Sequence, residues 1–206
     1  MRLPIYILAF IATFPIFADQ SKTAAENIQN YQMNLLLPVD HTSNPKYNVS
    51  LQMPKDFKPI QPVESFLHVS SIEYIPKTDT PNNWSEIITG LKHLNVRVTA
   101  KTFTDLMKQR VMQVDKASRV LSTSHTTISA KNSTITKSEI FIKYTMAKAS
   151  YNTGEREEIL GMVYYSGPLD CAGVQYTIHL KPGQSADEAI KKMQNFFDQN
   201  VKLFSF

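Results

Sequence analysis

Three strand-length segments follow one another closely in the second half of this chain, and they restrict its fold more than any other feature. They cover residues 134–148, 157–165 and 172–180 and are rich in the β-branched and aromatic side chains that strands favour. The turn formers Asn-Thr-Gly at 152–154 separate the first two segments, and Ser-Gly-Pro at 166–168 separates the last two. Because such short connections join antiparallel neighbours, the sequence predicts an antiparallel sheet.

Segments nearer the N-terminus extend the predicted sheet. Residues 47–53 alternate between apolar and polar side chains, as a half-buried strand does. Residues 56–59 have the composition of a turn, and residues 65–75 are expected to form one longer strand. The run 84–91 is predicted to be the third strand.

Two details concern the edges of this sheet. Gly90, within the third strand, indicates a bulge or a sheet edge. Residues 122–129 consist mainly of serine and threonine, and their composition is compatible with a strand but barely apolar. This pattern predicts an exposed edge strand or a long hairpin arm.

Two amphipathic helices are predicted. The first begins near Thr102, with Asp105 three residues later in the place of a capping-box acid. Its apolar face is expected to comprise Phe103, Leu106, Met107, Val111 and Val114. The second begins at a capping box formed by Ser185 and Glu188. Its apolar stripe, which we expect to be buried, comprises Ala186, Ala189, Ile190, Met193, Phe196, Phe197, Val201 and Phe204.

The order of these elements predicts an α+β fold, in which helices pack on an antiparallel sheet. Residues 79–89 read Asp-Thr-Pro-Asn-Asn-Trp-Ser-Glu-Ile-Ile-Thr, a short turn that leads into an Asn-Trp pair and a β-run. In this motif and in its layout over residues 47–204, the chain resembles small exported bacterial proteins of the Mog1/PsbP-like fold, an α/β sandwich. The resemblance implies a fold that serves binding and assembly, and it transfers no catalytic residue.

Residues 1–18 have the pattern of a secretory signal peptide. Arg2 precedes an apolar run, and the small residue Ala18 stands before the charged Asp19. We expect cleavage between Ala18 and Asp19, although Ile16 is larger than the side chain usual at its position. A membrane anchor is the alternative, but the apolar run is shorter than the roughly 20 residues that cross a bilayer. The sequence therefore predicts an exported protein of the periplasm or the extracellular medium.

The remaining chain divides into an arm and a domain. Residues 19–46 are predicted to form an N-terminal arm, and residues 47–206 a single α+β domain. The arm has apolar residues at helical spacing, which predict a short helix: Ala24, Ile28, Tyr31 and Leu35. A linker rich in turn-forming residues then leads to the domain.

Charge and composition exclude several classes of partner. The formal net charge is only +4, and lysine and arginine are not clustered as a nucleic-acid footprint requires. No segment beyond the signal peptide is apolar enough to span a bilayer, so no stable membrane insertion is expected after its removal. The chain has six glycines and no Gly-rich phosphate loop, and we expect no cofactor.

No motif for catalysis or metal binding is present in the sequence. It lacks the G-x-S-x-G nucleophile elbow. Glu155, Glu157 and Glu158 resemble paired glycosidase acids, but adjacent carboxylates at a turn are typical of a solvated loop. Five histidines are potential metal ligands or surface and strand-face residues, and none forms an H-x-x-x-H pair: His41, His68, His93, His125 and His179. We therefore expect no catalytic, cofactor-binding or metal-ligating residue.

Two further features have both a structural and a functional interpretation. Cys171 is the single cysteine, and its interpretation as a buried apolar residue is favoured over a disulfide-linked dimer or a reactive thiol. Trp84, Tyr164 and Tyr165 are candidates for partner binding, although aromatic residues in strands serve mainly for packing.

Export, a complete core pattern and the lack of a catalytic motif favour a non-enzymatic binding protein of a bacterium. Its partner would be an unknown protein or an envelope component. A variant is a virulence-associated effector released by a two-step route that begins with the signal peptide. The alternative is a hydrolase of unrecognised type. A pocket with several titratable groups of perturbed pKa would favour the enzyme, and an exposed apolar patch or a bare edge strand the binding protein.

Overall fold

The computed structural model describes residues 30–35, 47–66, 69–93, 98–130, 133–146, 156–167 and 170–205. The predicted signal peptide with its Ala18–Asp19 bond, the turn at 152–154, Glu155, His41 and His68 lie outside these ranges. Within the described ranges, no helix is both long enough and apolar enough to cross a bilayer.

Within the described ranges, seven antiparallel strands form the main sheet. Across its width they lie in the order β3-β4-β5-β9-β8-β7-β6. Their bounds are β3 Phe57–Phe66, β4 Val69–Pro76, β5 Glu86–His93, β6 Arg119–Ala130, β7 Ser133–Met146, β8 Arg156–Ser166 and β9 Cys171–His179. Strands β6 to β9 are each paired with the next along the chain. The antiparallel sheet predicted from their short connections is confirmed.

In the part of the chain described, a second, three-stranded sheet and two helices cover the faces of the main sheet. The small sheet has the order β1-β2-β10, with bounds β1 Asn30–Leu35, β2 Tyr47–Gln52 and β10 Val201–Ser205. Helix α1 (Ala100–Val114) packs on β7 and β8 on one face. Helix α2 (Ala186–Asn200) and the small sheet pack on the other face. The fold class is therefore α+β, as predicted.

Successive residues of the central strands contribute to two separate cores. On β7, Ile140 and Ile142 join the core beneath α1, whereas Phe141 joins the core beneath α2 and the small sheet. On β8, Met162 and Val163 divide in the same way. This is the alternation of a pleated strand. Because both faces are covered, β8 is buried continuously from its third residue to its end.

Tyr164, Tyr165 and Cys171 all lie in these cores. Tyr164 and Cys171 are fully buried, and Tyr165 is nearly so. The two tyrosines therefore contribute to packing and expose little or no ring surface, and partner binding through them stays a prediction. Burial, and then the charge of Asp170, raises the pKa of the Cys171 thiol above its ordinary range. A thiol that is buried and protonated is a poor nucleophile, so Cys171 fits the interpretation as a buried apolar residue and not that as a reactive thiol.

The N-terminal arm differs from its prediction. Asn30–Leu35 is the strand β1 and not part of a short helix, and it pairs antiparallel with β2. The register Asn30↔Gln52 to Leu35↔Tyr47 makes β1 an edge of the small sheet. Pairing with β2 satisfies the backbone groups, and this long-range contact outweighs the weak local helical pattern. Ala24 and Ile28 lie outside the described residues.

Three strand predictions are also corrected. Phe57 and Pro59 belong to β3 and pair with β4, so residues 56–59 are not simply a turn. The predicted strand 65–75 is two strands, because β3 ends at Phe66 and β4 begins at Val69. Gly90 lies in an unbroken register between Ile72 and Val174, so it marks neither a bulge nor an edge.

The helix boundaries shift by a few residues. Thr99, not Thr102, caps α1, and its side chain accepts from the N–H of Thr102. Leu106 and Val114 of the predicted apolar face are 37% and 44% exposed. For α2 the cap is confirmed, because Ser185 Oγ accepts from the Glu188 N–H over 3.2 Å.

The C-terminal end of the second predicted helix is a strand. Helix α2 ends at Asn200, and Val201–Ser205 continues as β10, which pairs antiparallel with β2. Phe204 is consequently 49% exposed, so the expectation that the whole apolar stripe is buried is wrong at its end. Pairing with β2 gives the backbone N–H and C=O groups of residues 201–205 hydrogen-bond partners in place of those that a longer helix would supply.

We predict that Gly173→Ala lowers the free energy of unfolding by about 3 kcal/mol, because it overpacks the core. An added Cβ would lie 2.3 Å from the backbone oxygen of Val163 and 2.4 Å from the Tyr164 ring. Gly161→Ala is the matched comparison, since the three atoms nearest to its Cβ would belong to the side chains of Met193 and Phe141 and not to the backbone. Chemical denaturation of both variants checks this. An equal or smaller loss for Gly173→Ala would contradict the packing described here.

Candidate functional site

A cleft of about 580 Å³ lies where the loop before β5 meets the ends of β8 and β9. Trp84, Arg156 and His179 are among its lining residues. The His179 ring stacks on Trp84 with ring centroids 4.0 Å apart, and Trp84 is only 8% exposed. Trp84 thus lines the cleft but presents little of its surface to a partner.

Arg156 determines which ring nitrogen of neutral His179 carries the proton. Its Nη1 donates to His179 Nδ1 over 2.9 Å, and its Nη2 donates to Asn83 Oδ1 over 3.1 Å. Because a guanidinium has only donors, Nδ1 must accept, and the neutral ring carries its proton on Nε2.

The proton on Nε2 faces a buried carboxylate. Glu158, which is 1% exposed, places Oε1 at 2.7 Å from His179 Nε2. Its Oε2 accepts from the Tyr144 hydroxyl. Tyr144, Glu158 and His179 are directly opposed residues of β7, β8 and β9, so one row across the sheet builds this network. The charges of Arg156 and Glu158 compensate each other in this network, which holds the strand ends together.

Asp79 and Ser85 form the other polar pair of the cleft. The Asp79 carboxylate accepts from the Ser85 N–H over 2.6 Å and from Ser85 Oγ over 2.7 Å. Partial burial acts to raise the pKa of Asp79, but the hydrogen bonds from Ser85 and Thr78 and the charge of Lys58 lower it below its ordinary value. A carboxylate of lowered pKa is a weak base, so this pair lacks what activates a nucleophile.

A serine and a histidine also meet outside the cleft. Ser138 Oγ lies 2.8 Å from His125 Nδ1 and 2.7 Å from Thr104 Oγ1. Thr104 donates its own proton to the carbonyl of Lys101. The Ser138 proton therefore goes to Thr104, and Ser138 accepts from the Nδ1–H of His125. This direction is opposite to that of a serine activated by a base, and Ser138 is fully buried.

The same hydrogen-bond chain orients His125 on β6. Its Nδ1–H is committed to Ser138, so Nε2 is the acceptor of the neutral ring. The nearest donor to Nε2 is the Thr123 hydroxyl at 3.4 Å. His125 is exposed, and it presents this acceptor beside the outer edge of the main sheet.

The two edges of the main sheet are unlike. Strand β3 carries Pro59 and Pro62, and its register shifts twice between Pro59 and Glu64. Prolines, bulges and charges are the features that prevent an edge from pairing with another strand.

Strand β6, at the other edge, has fewer of these protections, and both lie at its start: the charge of Arg119 and one register shift between Val120 and Ser122. It contains no proline, aspartate, glutamate or lysine, and its register with β7 is regular from Ser122 to Ala130. The side chains of residues 119–127 are exposed, and in the described part of the chain no strand pairs with the outer edge. The sequence prediction of an exposed edge strand over residues 122–129 is therefore confirmed.

The remaining candidate residues do not form a metal site in the part of the chain described. No three histidine, cysteine, aspartate or glutamate side chains there are grouped to hold an ion. Glu157 is exposed and pairs with Lys143 at 2.9 Å, while Glu158 is buried, so the two adjacent acids point to opposite sides of β8.

Comparison with known proteins concerns the fold alone. No family model and no curated protein matches this sequence. The Ran-binding protein Mog1p of Saccharomyces cerevisiae is similar in structure, with a TM-score of 0.46, 8% identity and coverage of 84% of this chain and 94% of that one. Cyanobacterial PsbP of Synechocystis sp. PCC 6803 has a TM-score of 0.43 and 6% identity over 90% of this chain and 98% of its own.

A mutant of Mog1 is similar as well, with a TM-score of 0.38, 9% identity and coverage of 72% of this chain and 78% of its own. These are the proteins after which the fold suggested by the sequence is named. Identities this low say nothing about what the chain binds.

Removal of the buried acid should cost far more stability than removal of its exposed neighbour. We expect Glu158→Ala to lower the free energy of unfolding by about 3 kcal/mol, because the Tyr144 hydroxyl and the His179 Nε2–H lose their acceptor. Glu157→Ala breaks only the exposed pair with Lys143 and should cost about 0.5 kcal/mol. Urea denaturation at neutral pH measures both. Similar losses for the two variants would show that the row of Tyr144, Glu158 and His179 does not hold the strand ends together.

His93 should make stability fall with acid. Its ring lies against Phe103, its Nε2 is buried without a hydrogen-bond partner, and burial lowers its pKa from 6.5 to about 4. Below pH 6.5 the unfolded chain binds a proton that the folded chain does not, so stability declines down to about pH 4, by about 3 kcal/mol in all.

His93→Leu should reduce the slope of unfolding free energy against pH in this window. The carboxylates titrate in both proteins, so the difference between the two curves isolates His93. Identical slopes would contradict the buried, neutral imidazole.

Proposed function

We propose that this chain is an exported, non-enzymatic binding protein of a bacterium, periplasmic or secreted, that takes up an extended strand of a protein partner along the outer edge of β6. The observation that carries the proposal is the contrast between the two edges of the main sheet. Strand β3 has two prolines and two register shifts, whereas β6 has no proline and pairs regularly from Ser122 to Ala130. Strand addition uses backbone N–H and C=O groups for affinity and alternate side chains for specificity.

The composition of β6 suits this role. Its regular stretch, Ser122 to Ala130, offers a continuous row of backbone groups. The strand is firmly held from the other side, because β7 pairs with it along this whole length and is itself paired with β8 from Thr136 onwards. An incoming strand would therefore meet an ordered template, which lowers the entropic cost of binding.

His125 supplies a specific contact beside that template. The chain from His125 through Ser138 and Thr104 to Lys101 connects it to α1 and holds the ring in one tautomer. Its Nε2 can accept a hydrogen bond from a donor side chain of the partner strand. The hydroxyl groups around it, such as Thr123 and Thr127, favour a polar and weakly charged partner segment.

The cleft supports the proposal less well than the edge does. Arg156, His179 and Glu158 are engaged with one another, so a charged ligand would have to break contacts within the protein. Export is supported by the apolar run after Arg2 and by Ala18 before Asp19.

A photo-crosslinking amino acid at Thr126, expressed in the natural host, tests both parts of the proposal. We expect adducts to one defined protein at Thr126 and none at Gln194, an exposed control position on α2. The intact mass should correspond to a chain that begins at Asp19. We expect this form in the periplasm if the partner belongs to the envelope, and in the medium if the partner is external. An uncleaved chain, or equal adducts at both positions, would contradict the proposal.

A further inference from the structure

We infer that the strand that pairs with β6 is β6 of a second copy, so that the exported chain is a twofold dimer with one continuous antiparallel sheet. This inference rests on the proposed function, since it names the occupant of the same edge. Its first support is charge. Strand β6 has Arg119 as its only lysine or arginine and has no acidic residue, and antiparallel pairing places the two Arg119 side chains at opposite ends.

The symmetry of such a pair restricts its register. Directly opposed residues in an antiparallel pair point to the same face, and a twofold axis normal to the sheet keeps each face on its own side. Opposed residues must then differ by an even number, so the axis passes beside a residue and not between two.

Registers centred on Ser124 or His125 lie near the middle of β6 and keep their central pairs within the regular stretch Ser122 to Ala130. A centre at Ser124 opposes Ser122 with Thr126, and a centre at His125 opposes Thr123 with Thr127. Both registers pair hydroxyl side chains across the interface, and Ser/Thr pairs are among the favourable cross-strand neighbours. The sequence of β6 is therefore compatible with itself in either register.

The opposite edge explains why association would stop at two copies. A head-to-tail contact of β6 with β3 of the next molecule would build an open fibre. The prolines and the register shifts of β3 prevent this contact. Of the contacts between edges of the main sheet, this leaves that of β6 with itself, which is closed because each copy uses the same edge.

Exposed apolar side chains stand at the start of β6. Val120 and Leu121 are 36% and 39% exposed, and both belong to the edge strand that the second copy would cover. Pairing along this edge would remove part of their apolar surface from water.

Sedimentation of the exported chain tests the inference, and Ser124→Lys is the principal variant. The side chain opposite Ser124 within the sheet is Glu139, so a lysine there is compatible with the monomer, whereas two copies would bring two lysines together. We expect a dimeric wild type and a dissociation constant raised by roughly 100-fold in Ser124→Lys. Gln194→Lys adds the same charge on α2 and should remain dimeric, and circular dichroism should show all three proteins folded.

A cysteine at the interface provides an independent readout. Because Cys171 is buried, a short bis-maleimide should link only Ser124→Cys chains, in pairs, and leave the wild type unlinked. A wild type that is monomeric at its highest soluble concentration, or a dimer that survives Ser124→Lys, would overturn the inference. The proposed function is judged separately: adducts at Thr126 to a different protein would support it while excluding the second copy as the occupant.

Discussion

The antiparallel pairing of β8 with β9 is the contact on which the rest of the structure depends. The two strands lie at the centre of the main sheet and are buried on both faces. Tyr164 of β8 lies opposite Gly173 of β9, and the missing side chain at Gly173 allows the ring to lie close to the sheet. Helix α1 packs against the same ring through Phe103. Buried apolar area supplies most of the driving force for folding, and here it is concentrated around this pair.

Rows of opposed residues across the sheet carry its polar contacts. One row joins Tyr144, Glu158 and His179 at one end of the strands. Another joins Thr136 and Ser166, whose hydroxyls both accept from the N–H of Ala100 and so hold the N-terminus of α1. The second row fixes where α1 meets the sheet, and the first joins the ends of β7, β8 and β9. Of the two edges of the main sheet, β6 is the one without proline, and its outer backbone groups have no strand partner among the described residues.

Local signals in the sequence predicted much of the fold. Alternation and short turns indicated the antiparallel sheet, the Ser185 capping box indicated the start of α2, and the hydroxyl-rich stretch indicated the edge strand β6. The strands β1 and β10 were missed because they are defined by pairing with β2, and apolar residues such as Tyr31 and Val201 also fit a helical period. Long-range pairing decided the outcome there.

The polar networks could not have been predicted from the sequence alone. Arg156 and His179 are 23 residues apart, and nothing near either one signals that they meet. The Ser138–His125 contact likewise depends on the register of β6 with β7. The bare edge was accessible to sequence reasoning, because the lack of proline and of charge in residues 122–129 is a property of composition.

Residue-resolved amide hydrogen exchange along β6 is the most direct measurement of whether its outer edge is occupied. In an antiparallel ladder, alternate N–H groups of a strand point to opposite neighbours. We predict that both sets of amides from Ser122 to Ala130 are protected in the wild type, and that the outward set alone loses protection in Ser124→Lys. Fast exchange of the outward set in the wild type would contradict an occupied edge, because neither a second copy nor another strand would then be paired with β6.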